Sequence, residues 1–129
     1  MRLRWKSLAQ RQGFTLVEIM VVVALIGLLA ALMTPSFIKV RKQSQGKRIV
    51  NDARIIDAAI NSWALENGMA DGAPVDLTGA ATYTKEGMIP TVDILGNPYS
   101  FNGVGDSQVM ISALSKTALN GVNIDWGAY

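Results

Sequence analysis

Cysteine and histidine are both absent from the 129 residues. Without cysteine there is no disulfide, no thiolate nucleophile and no Cys-ligated metal. Without histidine the chain lacks the commonest general base and the commonest metal ligand. Ser, Thr, Lys, Asp and Glu remain, so catalysis is disfavoured rather than excluded. Acid is also missing from two regions. Residues 1–13 carry Arg2, Arg4, Lys6 and Arg11 with no acid, and residues 39–48 carry Lys39, Arg41, Lys42, Lys47 and Arg48 with none. Residues 49–129 reverse the sign: Arg54, Lys85 and Lys116 stand against nine acids, a net of −6. A nucleic-acid-binding domain carries basic charge on its folded part. Here that part is acidic, so no nucleic-acid partner is expected.

What is present is a long apolar run. "FTLVEIMVVVALIGLLAALM" spans Phe14 to Met33, and Ile19 to Met33 has no polar side chain. Its length suits one bilayer crossing. An ordinary secretory signal would pair a basic start and an apolar stretch with a small-x-small cleavage site. "AALMTPS" is a poor version of that site. Glu18 also lies inside the run, where a mid-membrane charge costs about 2.5–3.5 kcal/mol. Charge bias leaves the topology open, with four Lys/Arg on the N-terminal side and five on the C-terminal side. About 90 residues remain for one small folded domain.

The stretch "RQGFTLVEIMVVVALIGLLAALMTPSF" resembles the N-terminal signature of type IV pilins, type II secretion pseudopilins and competence pseudopilins. The resemblance is close over about residues 9–40. It implies a basic leader, Met1–Gly13, cut by a prepilin peptidase on the cytoplasmic face between Gly13 and Phe14. It implies N-methylation of the new terminal Phe14. Glu18 stands where the family keeps its acidic residue, thought to meet the terminal amine of a neighbouring subunit during assembly. Pro35 stands where the family often bends its helix. Elementary chemistry agrees with these roles. Gly13 lets extended backbone enter a tight protease subsite. Glu18 lies one helical turn from the Phe14 amine, and such a pair strengthens in a low dielectric. Gly27 and Ala31 form a weak small-xxx-small helix-packing signal.

Beyond Pro35 helical periodicity resumes. Ile49, Ala53, Ile56, Ile60 and Trp63 are spaced 4, 3, 4 and 3, one amphipathic face. "ENG" at 66–68 is a stop signal, with Gly68 suited to a left-handed cap. Gly46 weakens a helix interior by about 1 kcal/mol, which marks the segment around it as soft. A continuous helix from Phe14 to Glu66 would span roughly 80 Å, more than a domain this small can bury. Its first half therefore belongs in lipid or against other copies.

From Met69, Gly and Pro become frequent and periodicity stops. Tyr99–Phe101 and "QVMISAL" at 108–114 read as strands of a hairpin, with "NGVGD" at 102–106 as its turn. "VNIDWGAY" at 122–129 reads as a third strand, and Met88–Ile94 as an irregular strand or extended loop. Trp63, Tyr83, Tyr99, Phe101, Trp126 and Tyr129 read as core or sheet-face aromatics. Trp5 reads as an interfacial residue of the leader. Gly96, Asn97, Pro98 and Tyr99 resemble the run that introduces the sheet in major pseudopilins. The absence of cysteine departs from many type IV pilins, which close this region with a disulfide. Major pseudopilins often bind calcium near the C-terminus. Here only Asp106 and Asp125 are nearby acids, too few for six to eight oxygen ligands, so no metal or other cofactor is assigned.

The expected architecture is α+β and pilin-like. A long N-terminal helical spine, half transmembrane and half amphipathic, packs on a small antiparallel sheet. The parts are residues 1–13 as cleaved leader and 14–38 as the transmembrane and polymerising half. Residues 39–67 form the amphipathic half, and 68–129 the loop and sheet of the head. The expected function is a non-enzymatic filament subunit with no catalytic residues. Its partners would be prepilin peptidase, copies of itself and related pilins or pseudopilins, an inner-membrane assembly platform, and the membrane. The resemblance places it as a single-pass protein of the bacterial inner membrane with a periplasmic head, then in a periplasmic pseudopilus or extracellular pilus. The competing readings are a periplasmic binding or enzymatic domain on a signal anchor, and a soluble protein released by signal peptidase.

Overall fold

In the computed structural model, which describes residues 12–105 and 107–129, helix α1 runs from Leu16 to Glu66. The residues of the expected leader up to 11, including Trp5, lie outside the described residues, as does Asp106. The helix starts at Leu16 rather than Phe14 because Thr15 takes the capping position. It continues through Pro35. Pro35 has no N–H, so the Ala31 carbonyl loses its helical donor. One residue earlier, the Thr34 hydroxyl donates to the Ala30 carbonyl at 2.8 Å. The helix ends as its sequence signals. Gly68 takes a left-handed φ of 63°. Met69 N–H bonds back to Ala64 O at 2.9 Å and Gly68 N–H to Leu65 O at 3.4 Å, the two bonds of a Schellman cap.

The chain divides into two units between Ser36 and Phe37. In the first, the apolar side chains of α1 have no protein cover. Among the large ones from Phe14 to Met33, the least exposed, Ile19, is still 50% accessible. A stripe is missing as well: the apolar surface runs all round the helix, the pattern of a helix meant for a wholly apolar surrounding.

In the second unit the 4-3-4-3 face of α1 forms the core. Ile49, Ala53, Ile56 and Ile60 are 0% exposed and Trp63 is buried. They pack with Tyr99, Val104, Val109, Ile111 and Leu119. The sheet is small: β1, Ser100–Phe101, pairs antiparallel with β2, Val109–Met110, in the register Ser100↔Met110 and Phe101↔Val109. Only the start of the 108–114 stretch is strand. Ser112 then caps α3, Ala113–Ala118, its hydroxyl accepting from Leu114 N–H at 3.2 Å. A second short helix, α2, Leu77–Ala81, is capped by Asp76, which accepts from Thr78 N–H at 2.9 Å. A Cβ at Gly79 would stand 2.5 Å from Trp63 Nε1, so glycine is what lets α2 lie against the indole.

Two expectations need correction. Residues 122–129 form no strand. Gly121 and Gly127 take left-handed φ values of 80° and 60°, which break extended backbone on both sides, and Gly127 N–H turns back to Asp125 Oδ1 at 3.0 Å. Met88–Ile94 takes the second of the two readings given for it, an extended loop, touching sheet geometry only at the single bridge Val92↔Pro98. Tyr83 is no core residue: it is 38% exposed, and its hydroxyl donates to Glu66.

Gly46, expected as a weak point, is a buried packing position inside α1. A Cβ there would stand 2.2 Å from Ile124 Cδ1 and 2.9 Å from Ile124 Cγ1. The segment after α3 crosses the helix at this point. Lys42 Nζ also donates to Asn120 O at 3.3 Å. Gly46→Val is therefore expected to destabilise the second unit by about 1–3 kcal/mol through overpacking, despite the better helix propensity of a larger residue. Adding Ile124→Ala should return part of the loss. Thermal melts of the detergent-solubilised chain measure both; an unchanged melt for Gly46→Val would refute the crossing.

Candidate functional site

The N-terminal tip combines an irregular entry into the helix with a charge in an apolar setting. Residues 12–15 have no regular structure, and Thr15 and Glu18 then form a reciprocal cap. Thr15 N–H donates to Glu18 Oε2 at 2.7 Å, and Glu18 N–H donates to Thr15 Oγ1 at 3.2 Å. This is a capping box, T-x-x-E, which satisfies two of the free amides at a helix start. Glu18 also lies in the first turn, where a negative charge meets the positive end of the helix dipole. The sequence carried this signal in "TLVE", but Glu18 drew attention only as a charge in an apolar run. Thr15 is thus a residue of the tip that the sequence reading passed over.

The structure places Gly13, Phe14 and Glu18 together at this tip. Gly13 is exposed, and a Cβ on it would meet nothing within 4 Å. Phe14 is also exposed. Gly27 likewise has open space around a Cβ position, so nothing among the described residues requires a small residue there. Pro35 lies 17 positions beyond Glu18 on α1. Ile49, Ala53, Ile56, Ile60 and Trp63 belong to the core of the second unit.

The second unit holds its shape with two buried polar anchors that periodicity did not reveal. Gln108 is fully buried, and its Nε2 donates to Asp57 O at 3.1 Å and Asp57 Oδ1 at 2.8 Å. Its Oε1 accepts from Gly105 N–H at 3.3 Å. One side chain therefore ties the hairpin to α1. Asp93 is the other anchor. Its Oδ1 accepts from Leu95 N–H at 2.8 Å and Asn97 N–H at 3.0 Å, and its Oδ2 from the Ser115 hydroxyl. Asn97 Nδ2 donates to Ser115 Oγ at 2.9 Å. The Gly96-Asn97-Pro98-Tyr99 run is thereby locked to α3, with the Asp93, Asn97 and Ser115 side chains all partnered. Tyr99 brings its hydroxyl into the core with no partner among the described residues; burial first, then Asp52 and Asp93, push its pKa up to about 12, so it stays protonated.

Among the described residues, no group of three or more Asp or Glu side chains is placed to hold a metal ion. Asp125 is occupied by the turn at Gly127.

A family described as the prokaryotic N-terminal methylation motif matches residues 8–34. The type II secretion system core protein G of Escherichia coli (strain K12) is 32% identical over 109 residues, 75% of each chain. Its namesake from Pseudomonas aeruginosa is 32% identical over 108 residues, covering 74% of this chain and 76% of the relative. The type IV major fimbrial protein FimA of Dichelobacter nodosus is 38% identical over 61 residues, 47% of this chain and 38% of that protein. No solved structure matches the chain. Similarity to core protein G runs well past the N-terminal motif, and α1 carries a bilayer-length apolar segment open on all sides. The chain belongs to the type IV pilin and type II secretion pseudopilin family, as a membrane-anchored structural subunit rather than an enzyme.

Proposed function

We propose that the chain is a polymerising subunit of a type II secretion pseudopilus. The observation that carries this is the uncovered apolar half of α1, tipped by Gly13, Phe14 and Glu18. Such a surface is stable only in lipid or against like helices. The pseudopilus is favoured over a fimbria because the core protein G relatives of Escherichia coli and Pseudomonas aeruginosa align over three quarters of their length, although others of that name align over about as little as the FimA relatives do. The absence of cysteine favours the same choice.

In this reading a prepilin peptidase removes Met1–Gly13 on the cytoplasmic side and Phe14 becomes the methylated terminus. Residues 14–38 hold the subunit in the inner membrane, with residues 39–67 and 68–129 in the periplasm. An assembly platform then lifts subunits into the filament. There Glu18 meets the terminal amine of a neighbour, and an unpaired carboxylate favours docking, because pairing removes the penalty of a buried lone charge. The Thr15–Glu18 cap supports this reading. It satisfies one carboxylate oxygen locally while the subunit waits in the membrane, and hydrogen bonding to a buried charge lowers its desolvation penalty.

Intact-mass spectrometry of the native membrane protein tests the processing. A mature chain beginning at Phe14 and about 14 Da heavier from one methyl group is expected. An intact leader or a different first residue would count heavily against the proposal. Deletion of the gene should stop export of the secretion substrates while leaving surface fimbriae unchanged; the opposite pattern would point to a fimbrial subunit.

A further inference from the structure

α1 leaves a second face uncovered just beyond its bilayer-length run. Phe37, Val40, Arg41 and Ser44 fall at i, i+3, i+4 and i+7, one side of a helix. All four are exposed, Phe37 at 72% and Val40 at 64%. The same unit carries a groove of about 240 Å³ with an apolar floor of Ile55, Met88 and Pro90. Ile55 is 51% exposed and Met88 65%, so the floor has no occupant among the described residues. Asp52 and Glu86 line the groove with Lys85. Arg48 reaches Asp52 only at 4.0 Å, in a pair one helical turn apart with the guanidinium exposed and the carboxyl half-buried, a distance at which such a pair is worth little.

We propose that this groove receives the Phe37–Val40–Arg41 face of a second copy, with the apolar side chains on the floor and the guanidinium against Asp52 and Glu86. The proposal rests on the filament reading and specifies one of its contacts. Face and groove cannot meet within one chain. Val40 and Ile55 are 15 residues apart on one rigid helix, roughly 22 Å. Meeting between copies, they join two different surfaces. Such a heterologous contact repeats from copy to copy, and propagates an open filament when its rotation does not close a ring. Charge runs the same way: residues 39–48 carry five cations and no acid, while residues 49–129 carry nine acids and three cations. Among the described residues Arg48–Asp52 is the only ion pair, so most of this opposed charge is left for another molecule. The face also continues directly from the polymerising half of α1. Burial in the groove pushes the Asp52 carboxyl above the ordinary carboxylate range, with Arg48 opposing and Glu86 adding to it, and a second cation there would relieve that.

The cysteine-free chain makes the test clean. Full-length chains with Val40→Cys, Met88→Cys or both are expressed as the only copy in cells and oxidised. The double variant should give a ladder of cross-linked multimers. The two single variants expressed together should give a mixed dimer, and either alone should give none. Wild-type amounts of sheared filament without these cross-links would sink the groove contact and leave the filament reading standing; no filament even from the wild-type chain would overturn both. Independently, Arg41→Glu should lower filament per processed subunit by about tenfold or more, as expected when a charge at a contact is reversed. Adding Glu86→Arg should restore much of it. If Arg41→Glu instead reduces membrane retention and leaves filament per retained subunit unchanged, the face serves the lipid surface and the proposal is wrong.

Discussion

Glu18→Ala should leave leader removal and membrane insertion intact and nearly abolish filament. Cleavage depends on Gly13 and the basic leader, neither of which the change touches. Insertion should improve slightly, since a carboxylate no longer has to enter the apolar layer. Assembly is another matter. Packed N-terminal helices exclude water, and the Phe14 amine then needs a counter-charge. Glu18 is the only acid before Asp52, so no neighbour can replace it. Breaking a buried pair by removing one partner costs about 3–5 kcal/mol. That is roughly a hundred- to several-thousandfold in an association constant.

The cap observed at Thr15 complicates the simple variant, because Ala removes both a charge and the carboxylate half of the capping box. What is lost is the bond from Thr15 N–H to Glu18 Oε2, while the Thr15 hydroxyl keeps its bond from the residue 18 amide. Glu18→Gln separates the two effects, since glutamine serves equally in a capping box but carries no charge. Gln should therefore assemble as poorly as Ala. Asp, which keeps the charge on a shorter arm, should be intermediate. Sheared filament per unit of processed subunit is the measurement. Normal filament from Glu18→Gln would show that the residue serves only its own helix. Normal filament from Glu18→Ala would remove the assembly role altogether.

Gly13→Val should abolish leader removal, leaving only precursor in the membrane and no filament. In many positions such a change would be ambiguous, since a new side chain can disturb the fold. Here the described residues leave room, since a Cβ at Gly13 meets nothing among them within 4 Å. A loss of processing is therefore expected to arise where the chain enters the peptidase, which needs extended backbone without a side chain at the cut. A β-branched residue is the strongest form of the test. On an immunoblot the precursor band should persist, and the mass should retain the leader. A normally processed Gly13→Val chain would place the cut elsewhere and undo the assignment of Phe14 as the mature terminus.

The long elements of this protein were legible in its residues. A 20-residue apolar run, a 4-3-4-3 stripe and a glycine after "EN" are enough for α1, for the core face from Ile49 to Trp63 and for the stop at Gly68. Each is a local pattern repeated over many turns, and summed local preference outweighs any single tertiary contact. The capping box was legible too, in "TLVE", though the charge of Glu18 hid it.

The short elements were not. α2 and α3 have five and six residues, below the length at which periodicity says anything, and a helix that short has no stability of its own. Each exists because of a neighbour: α2 lies on Trp63 through Gly79, and α3 is tied through Ser115 to Asp93. Residues 122–129 have β-prone side chains, yet Ile124 finds its place over Gly46 and two left-handed glycines turn the backbone away from pairing. The amino-acid sequence by itself determined the membrane-length helix, its charged tip, the core stripe and the family. Only the tertiary structure decided that Gly46 is a crossing point, that Gln108 and Asp93 anchor the head, and that the sheet is two residues deep. The reason is that helical periodicity is written within a few turns of one segment, whereas each of these contacts joins side chains that are distant in the chain.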